Sequence, residues 1–290
     1  MGQKTHPFFF RVCLDNSDWN SKYIEKNNEE SALLLSKDLN IRSYINRIFS
    51  LFGLILVECR IEYSVSKIQV FVSFYDRFSY FIDNNDFKSV LFGVNKKLKI
   101  SRKKLVTKLV NNIIFSTIMK YQVNKKLNRD DIIVDLKIKN LNKKFENSIL
   151  KNKNSELEYK KVLRNLRINL EYKELLKIAF IVITEKNSAI LLSNIISIYI
   201  KKGQKQKKQN FLFLSLKKIF EVLITSKLSK INGLKISVSG RFNGFLRAKT
   251  KVFSVGSVPL QSFSSLIDYH HTTAYTVHGT FGIKVWIYEK

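Results

Sequence analysis

The side chains best suited to chemistry are cations set among small residues. Arg241, Asn243, Gly244, Arg247, Lys249 and Lys251 fall in one short stretch beside Gly240. Guanidinium, ammonium and amide groups next to glycines suit contact with phosphate oxygens, because a missing Cβ lets a polyanion backbone come close. Each phosphate neutralised this way steepens the salt dependence of binding by about 0.9 in log–log slope. Two further sets offer the same chemistry: Lys201, Lys202, Lys205, Lys207 and Lys208 around Gly203, and the pair Lys217 and Lys218. A lysine pair on a helix is usually a solvated face, so the second set argues less. At the start of the chain Gln3, Lys4, His6 and Arg11 lie in a basic segment too short for a core of its own, which is expected to dock on an anionic surface.

Bond-making chemistry has far less support. His270 and His271 are adjacent, so on a strand they point to opposite faces, and no acid or cysteine lies at ligand spacing from them. Asp268 and Tyr269 read as a helix-ending turn with structural bonds. Asp130, Asp131 and Asp135 could hold Mg²⁺ as an inserted nuclease would, but no partnering motif accompanies them. A phosphate-binding Gly-rich loop, a nucleophile elbow and an HExxH helix are all missing from the sequence. The 2 cysteines, Cys13 and Cys59, form no CxxC pair. Neither catalysis nor a metal nor another cofactor is expected.

The whole-chain balance agrees with phosphate contact. Lys plus Arg number 51 against 23 Asp plus Glu, a formal charge of +28. Self-repulsion of that size weakens a compact fold unless a polyanion neutralises it. Most of the charge is lysine, which suits diffuse neutralisation better than bidentate reading of base edges. With 45% apolar and 12% aromatic residues the chain is no disordered basic tail. No run reaches the ~18 apolar residues of a membrane-spanning helix, since Glu185, Lys186 and Asn187 interrupt Leu175–Ile200. Membrane insertion is therefore not expected. The start carries neither a secretory apolar core nor an Arg- and Ser-rich presequence. Lys, Asn, Ile and Phe abound while Pro numbers 2 and Gly 10, a bias towards AT-rich codons. An AT-rich organellar genome would produce that bias and remove the need for a targeting peptide.

These cations need elements to position them. Leu34, Leu35, Leu39, Ile41, Ile45, Ile48 and Phe49 recur mostly at steps of three and four, predicting an amphipathic helix from Ser31 to near Gly53. Leu54–Tyr63 and Lys67–Phe74 follow as strands. The lysine- and asparagine-rich span 75–172 reads as an insertion, with helical fragments at Lys103–Met119 and Leu157–Leu170. Lys177–Thr184 is expected as a strand and Ser188–Tyr199 as a helix. Leu212–Leu228 resumes helical periodicity. Leu234–Val238 and Leu246–Val255 are expected strands, Leu260–Ile267 a short helix, and Thr272–Val277 with Ile283–Tyr288 a hairpin around Gly279. Trp286 and Tyr288 alternate on that last strand and read as core or protein-interface residues. The fold class is α+β.

The tail carries a resemblance on five ordered blocks: Gly233-Leu-Lys-Ile-Ser-Val-Ser-Gly-Arg241, Gly244, Gly256-Ser-Val-Pro-Leu260, Ile267-Asp-Tyr269 and Gly282-Ile-Lys-Val-Trp-Ile287. With the opening Met1-Gly-Gln-Lys4, His6-Pro7 and Phe10-Arg11, and with Ile41-Arg42 in the first helix, the chain resembles the small-subunit ribosomal protein 3 family. The resemblance implies a type II KH-like domain, here interrupted by the long insertion, then an α+β C-terminal domain with a mixed or antiparallel sheet packed on helices. The expected division is an rRNA-binding extension over 1–30, a split KH-like domain over 31–74 and 173–200, a lineage-specific insertion over 75–172 and the C-terminal domain over 201–290.

By the same resemblance the partners are small-subunit rRNA in the head, mRNA where it enters the subunit, and the neighbouring small-subunit proteins 10 and 14. Lys217 and Lys218 align with the basic residues that face incoming mRNA, although Glu221 stands where more cations are usual. Family members carry a GxxG loop that clamps single strands. The nearest match here, Gly93-Val-Asn-Lys96, ends in lysine, so the KH-like domain is expected to act as scaffold. A mitochondrial ribosome is the expected setting. The other readings are a free KH-type RNA-binding regulator and a ribosomal protein with an inserted Mg-dependent nuclease.

Overall fold

A computed structural model of the chain describes residues 5–11, 19–51, 53–64, 67–77, 133–142, 173–185, 188–205, 209–225 and 229–290. It divides into two units, Asp18–Lys143 and a second made of Met1–Ser17 with Lys144–Lys290.

In the first unit, helix α2 (Asn28–Leu51) starts with Glu29 and Glu30 in its first turn, where carboxylates complement the helix dipole. The one-turn helix α1 (Pro7–Phe10) precedes it in sequence and belongs to the other unit. Asp38, Ile41, Ile45 and Phe49 line the buried face of α2 at steps of three and four. The three apolar ones pack with Cys59 and Ile61 of β2 (Leu54–Tyr63), with Val70, Val72 and Phe74 of β3 (Lys67–Asp76), and with Leu136 of β4 (Ile133–Asn140). Gly53 follows the helix at φ 69, the left-handed conformation that lets the chain turn into β2. The sheet order is β1-β2-β3-β4, with β1 (Ser21–Lys22) and β4 parallel to their neighbours and β2 antiparallel to β3.

An ionic clamp ties this unit together. Asp38 is buried and pairs with Arg42 one turn on, at 2.8 Å. The Arg42 guanidinium also donates to the carbonyls of Cys59 and Asn20 and to Ser21 Oγ, and the Ser21 hydroxyl donates to Asp38. Strand β1 is thereby fastened to both α2 and β2. Burial pushes the Cys59 thiol up to about 11, so it is an inert core residue.

In the second unit, strands β5 (Ile231–Gly240), β6 (Lys249–Gly256), β7 (Ile267–Thr276) and β8 (Gly279–Glu289) form a sheet in the order β6-β5-β8-β7, antiparallel throughout. Helices α3 (Lys173–Thr184), α4 (Ala189–Lys205) and α5 (Gln209–Ile224) complete it, α4 packing on β7 and β8 and α5 on β6 and β5. Leu234, Ile236, Val238, Ile283, Val285 and Ile287 point to that helix side and are buried. Asp268 caps α4 from a strand, its carboxylate accepting from Ala189 N at 2.7 Å. Two glycines of the recurring blocks are required by close approach. A Cβ on Gly233 would lie 2.1 Å from the Ser257 carbonyl oxygen, and one on Gly240 would lie 2.3 Å from the Phe281 ring.

The α+β class is as expected; several elements differ. Lys177–Thr184 is helix and not strand. Nearly every residue of α3 from Glu174 to Ile183 is buried, and an apolar run buried all round shows neither period clearly. The fourth strand of the first sheet is instead Ile133–Asn140, inside the span expected as insertion. Residues 173–200, grouped in the expectation with 31–74, fall in the other unit. Leu260–Ile267 is not a helix: Arg11 takes the carbonyls of Leu260 and Ser262, and the Ser265 hydroxyl also donates to that of Ser262. Asp268 lies in β7 and not at a helix end. The helical fragments expected at Lys103–Met119 and Leu157–Leu170 lie outside the described residues.

Candidate nucleic-acid interface

The cationic stretch after β5 is built on a tight turn. Phe242–Gly244 forms one turn of 3₁₀ helix in which Asn243 has φ 54 and Gly244 φ 81. Phe242 anchors the turn in the core, edge-on to Phe281 at 5.3 Å and to Phe213 of α5 at 5.7 Å. Arg241 Nε donates to the Phe245 carbonyl at 2.9 Å, which holds the loop. Arg247 and Lys249 are exposed. Lys251 is half-buried, its ammonium 4.6 Å from the Phe242 ring centroid and 5.8 Å from that of Phe213. Burial, then the charge of Lys249, lowers its pKa. The stretch therefore puts charge at the end of β5 and along edge strand β6, beside α5.

Other expected contacts divide. Lys217 and Lys218 are exposed on α5, and Lys217 pairs loosely with Glu221 at 3.7 Å. Lys201 and Lys202 are exposed near the end of α4. Gln3, Lys4, Lys207, Lys208, Asp130, Asp131 and Gly93–Lys96 lie outside the described residues. His6 caps α1, its Nδ1 accepting from Phe8 N at 3.2 Å, and its ring stands edge-on to Tyr269 at 4.7 Å.

Arg11 is placed differently from the expectation of an RNA-facing side chain. It is 7% exposed. One terminal nitrogen donates to the carbonyls of Leu260 at 3.0 Å and Ser262 at 2.9 Å and to Ser265 Oγ at 3.2 Å, the other to the Pro7 carbonyl at 3.1 Å. Arg11 thus fastens the start of the chain to the loop 257–266, and planar guanidinium geometry suits several carbonyl acceptors at once. Spacing alone could not distinguish a cation aimed at phosphate from one aimed at carbonyls.

A second surface was not singled out from sequence. On the sheet face turned away from the helices, Lys235, Trp286 and Tyr269 lie side by side through the pairings Lys235↔Trp286 and Tyr269↔Trp286. The Trp286 and Tyr269 rings are 5.3 Å apart and tilted by 40°, and the Lys235 ammonium is 5.6 Å from the Trp286 ring. Trp286 is therefore no core residue. The signal lay in alternation: Ile283, Val285 and Ile287 are buried, which leaves Lys284, Trp286 and Tyr288 on the other side.

On the helix side His270 Nδ1 lies 2.7 Å from Ser193 Oγ. That hydroxyl also lies within hydrogen-bond reach of the Ile190 carbonyl at 3.0 Å. Burial first, then the nearby His271 and His6, lowers the His270 pKa. The two histidines are thus split between the faces, as their adjacency requires.

Comparison with known proteins agrees with the geometry. The family model for the ribosomal protein S3 C-terminal domain matches residues 214–287, from α5 to the end of β8. The small ribosomal subunit protein uS3 of Karelsulcia muelleri is 43% identical over 74 residues, 25% of this chain and 33% of that protein. The uS3c protein of Euglena gracilis is 41% identical over 68 residues, 23% of this chain and 31% of its own length. Matches of this kind span about a third or less of those relatives. The uS3 protein of Kosmotoga olearia aligns at 27% identity over 292 residues, covering 100% of this chain and 95% of that protein. A matched C-terminal domain whose ordered glycine blocks are explained by packing, together with a 27% identical alignment running the length of the chain, makes this protein similar to the ribosomal protein S3 family, most closely over residues 214–287.

Proposed function

We propose that this chain is a structural constituent of the small subunit of a mitochondrial ribosome, holding rRNA through its C-terminal unit. The observation that carries the reading is the cationic edge from Arg241 to Lys251, rigidly based on Phe242 and Phe213 and placed within the matched domain. Asn243 and Gly244 let the turn approach a phosphate backbone, while Arg247, Lys249 and Lys251 neutralise it. Lys217 and Lys218, on the exposed side of α5, meet mRNA as it enters, and Lys201 and Lys202 extend the same charge. Gln3, Lys4 and His6 contact rRNA at the start of the chain. Small-subunit proteins 10 and 14 are the protein neighbours. The codon bias favours an organellar gene, and the relatives include uS3c proteins as well as bacterial ones.

The unit Asp18–Lys143 serves in this reading as a type II KH-like scaffold. Its order of helix, two antiparallel strands and a later strand parallel to the second supports the assignment. With β4 inside it, the inserted sequence divides into 78–132 and 143–172.

The test is sedimentation after a high-salt wash. The protein remains on small subunits, and Arg241→Gln with Arg247→Gln impairs their assembly. Release of the wild-type chain by the wash would favour a free regulator, and normal subunit formation by the double variant would reject the proposed anchor.

A further inference from the structure

The C-terminal sheet has two faces of opposite character. The helix side is apolar and filled. On the other side, among the described residues, only the one-turn helix α1 lies against the sheet, at β7. Its rows run Ser254, Lys235, Trp286, Tyr269 and then Val252, Ser237, Lys284, His271. Lys284 and His271 are exposed, and Lys235, Trp286 and Tyr269 are half-buried. This face carries no carboxylate among the described residues. Asp268 points to the helices, where it caps α4, and Glu289 pairs with the buried Ile231 beyond the irregularity in β5.

The start of the chain lengthens the aromatic row. His6 stands edge-on to Tyr269 at 4.7 Å, and Phe9 stands edge-on to His6 at 5.7 Å. Phe9 is 67% exposed. Arg11, buried under the loop 257–266, fixes the turn that carries these rings. The arrangement is therefore built, since a buried guanidinium holds exposed aromatics in line with a strand pair.

We propose that this open face binds single-stranded RNA, stacking unpaired bases on Trp286, Tyr269 and Phe9 while Lys235 and Lys284 meet the connecting phosphates. Charge complementarity selects the occupant. A face with cations and no acids suits a polyanion, and flat rings spaced along it suit a strand whose bases are splayed apart, which stacks without regard to sequence. A duplex hides its base faces and offers phosphates, 2′-hydroxyls and groove edges, none of which stacks on a ring. A protein partner would have to be acidic and would gain nothing from the line of rings. The inference rests on the RNA-binding reading above and adds to it a second contact, distinct from the Arg241–Lys251 edge in both place and chemistry.

The experiment uses the full chain and two probes, a fluorescently labelled uridine octamer and a short RNA duplex, with binding followed by anisotropy. Replacing Trp286→Leu together with Tyr269→Leu weakens octamer binding roughly ten-fold or more, the scale of a lost stacking contact. Duplex binding stays within about two-fold, because the phosphate contacts remain. Trp286→Phe with Tyr269→Phe restores the octamer, since it returns the rings. Lys235→Gln with Lys284→Gln lowers the octamer's log–log salt slope by about 1.4. An unchanged octamer affinity in the leucine variant overturns the proposal, as does an equal loss of both probes. Loss of small-subunit association with octamer affinity intact would make the face a protein contact and also overturn it. If the wild-type chain bound neither probe, the RNA reading itself would fail; if both variants matched the wild type on both probes, only this inference would.

Discussion

Each unit carries a four-stranded sheet with its long helices on one side, yet the opposite faces differ in charge pairing. In the first unit the rows away from α2 are Glu62, Gln69, Asp135, then Arg60, Phe71, Lys137, then Glu58, Ser73, Lys139. Acids and bases alternate there, Arg60 reaches Glu58 at 3.1 Å, and Lys137 rests 4.8 Å from the Phe71 ring. That face is close to neutral within itself. The corresponding face of the C-terminal sheet has cations and aromatics without a single described acid. The excess of +28 is thus not a uniform coat, and what makes a cation available to RNA is the lack of a carboxylate in its own row.

The contrast can be broken most forcefully through its arginines. Arg11→Met should destabilise the C-terminal unit by about 2–4 kcal/mol, because half-buried carbonyls and the buried Ser265 lose a charged donor. Arg60→Met should cost less than about 1 kcal/mol, the usual worth of a solvated pair. Denaturant titration of both variants checks the difference, and equal losses would contradict the placement of Arg11. Gly240→Ala should cost about 1–3 kcal/mol in the same assay, since the new methyl would meet the buried Phe281 ring. Asp268→Ala, which uncaps α4, should cost about 1 kcal/mol.

A smaller effect separates the units by pH. His270 and His6 both have pKa values lowered by burial from 6.5, so the unfolded chain binds protons more readily than the folded one below that value. The stability they contribute is present above about 6.5 and is lost as pH falls through their folded values. Thermal melts at about pH 7.5 and about pH 5.5 should show the C-terminal unit losing stability, and His270→Asn should reduce that loss. An unchanged difference in the variant would place the sensitivity elsewhere.

These contrasts follow how much the sequence disclosed. The helix over Asn28–Leu51 and the strands of both hairpins were legible because each buries one face, leaving a period of 3.6 or 2. Helix α3 was not, because it is buried on nearly every side. Strand β4 does alternate Leu136 and Ile138 with Asp135, Lys137 and Lys139, but it sits in a lysine- and asparagine-rich span whose composition argued for insertion. At the site, Arg247 and Lys249 stand on the surface as their charge suggested. Arg11 does not, since carbonyl acceptors 250 residues downstream leave no mark beside it. The Lys235, Trp286 and Tyr269 row depends on which strands pair, and sheet order is invisible to local pattern.

The most direct measurement is the salt slope of binding to small-subunit rRNA. Arg241→Gln with Arg247→Gln should lower the log–log slope by about 1.8, while Lys137→Gln with Lys139→Gln, from the self-neutralised face, should leave it unchanged. Equal slopes for the two double variants, or a fall only in the second, would contradict the assignment of RNA binding to the C-terminal unit.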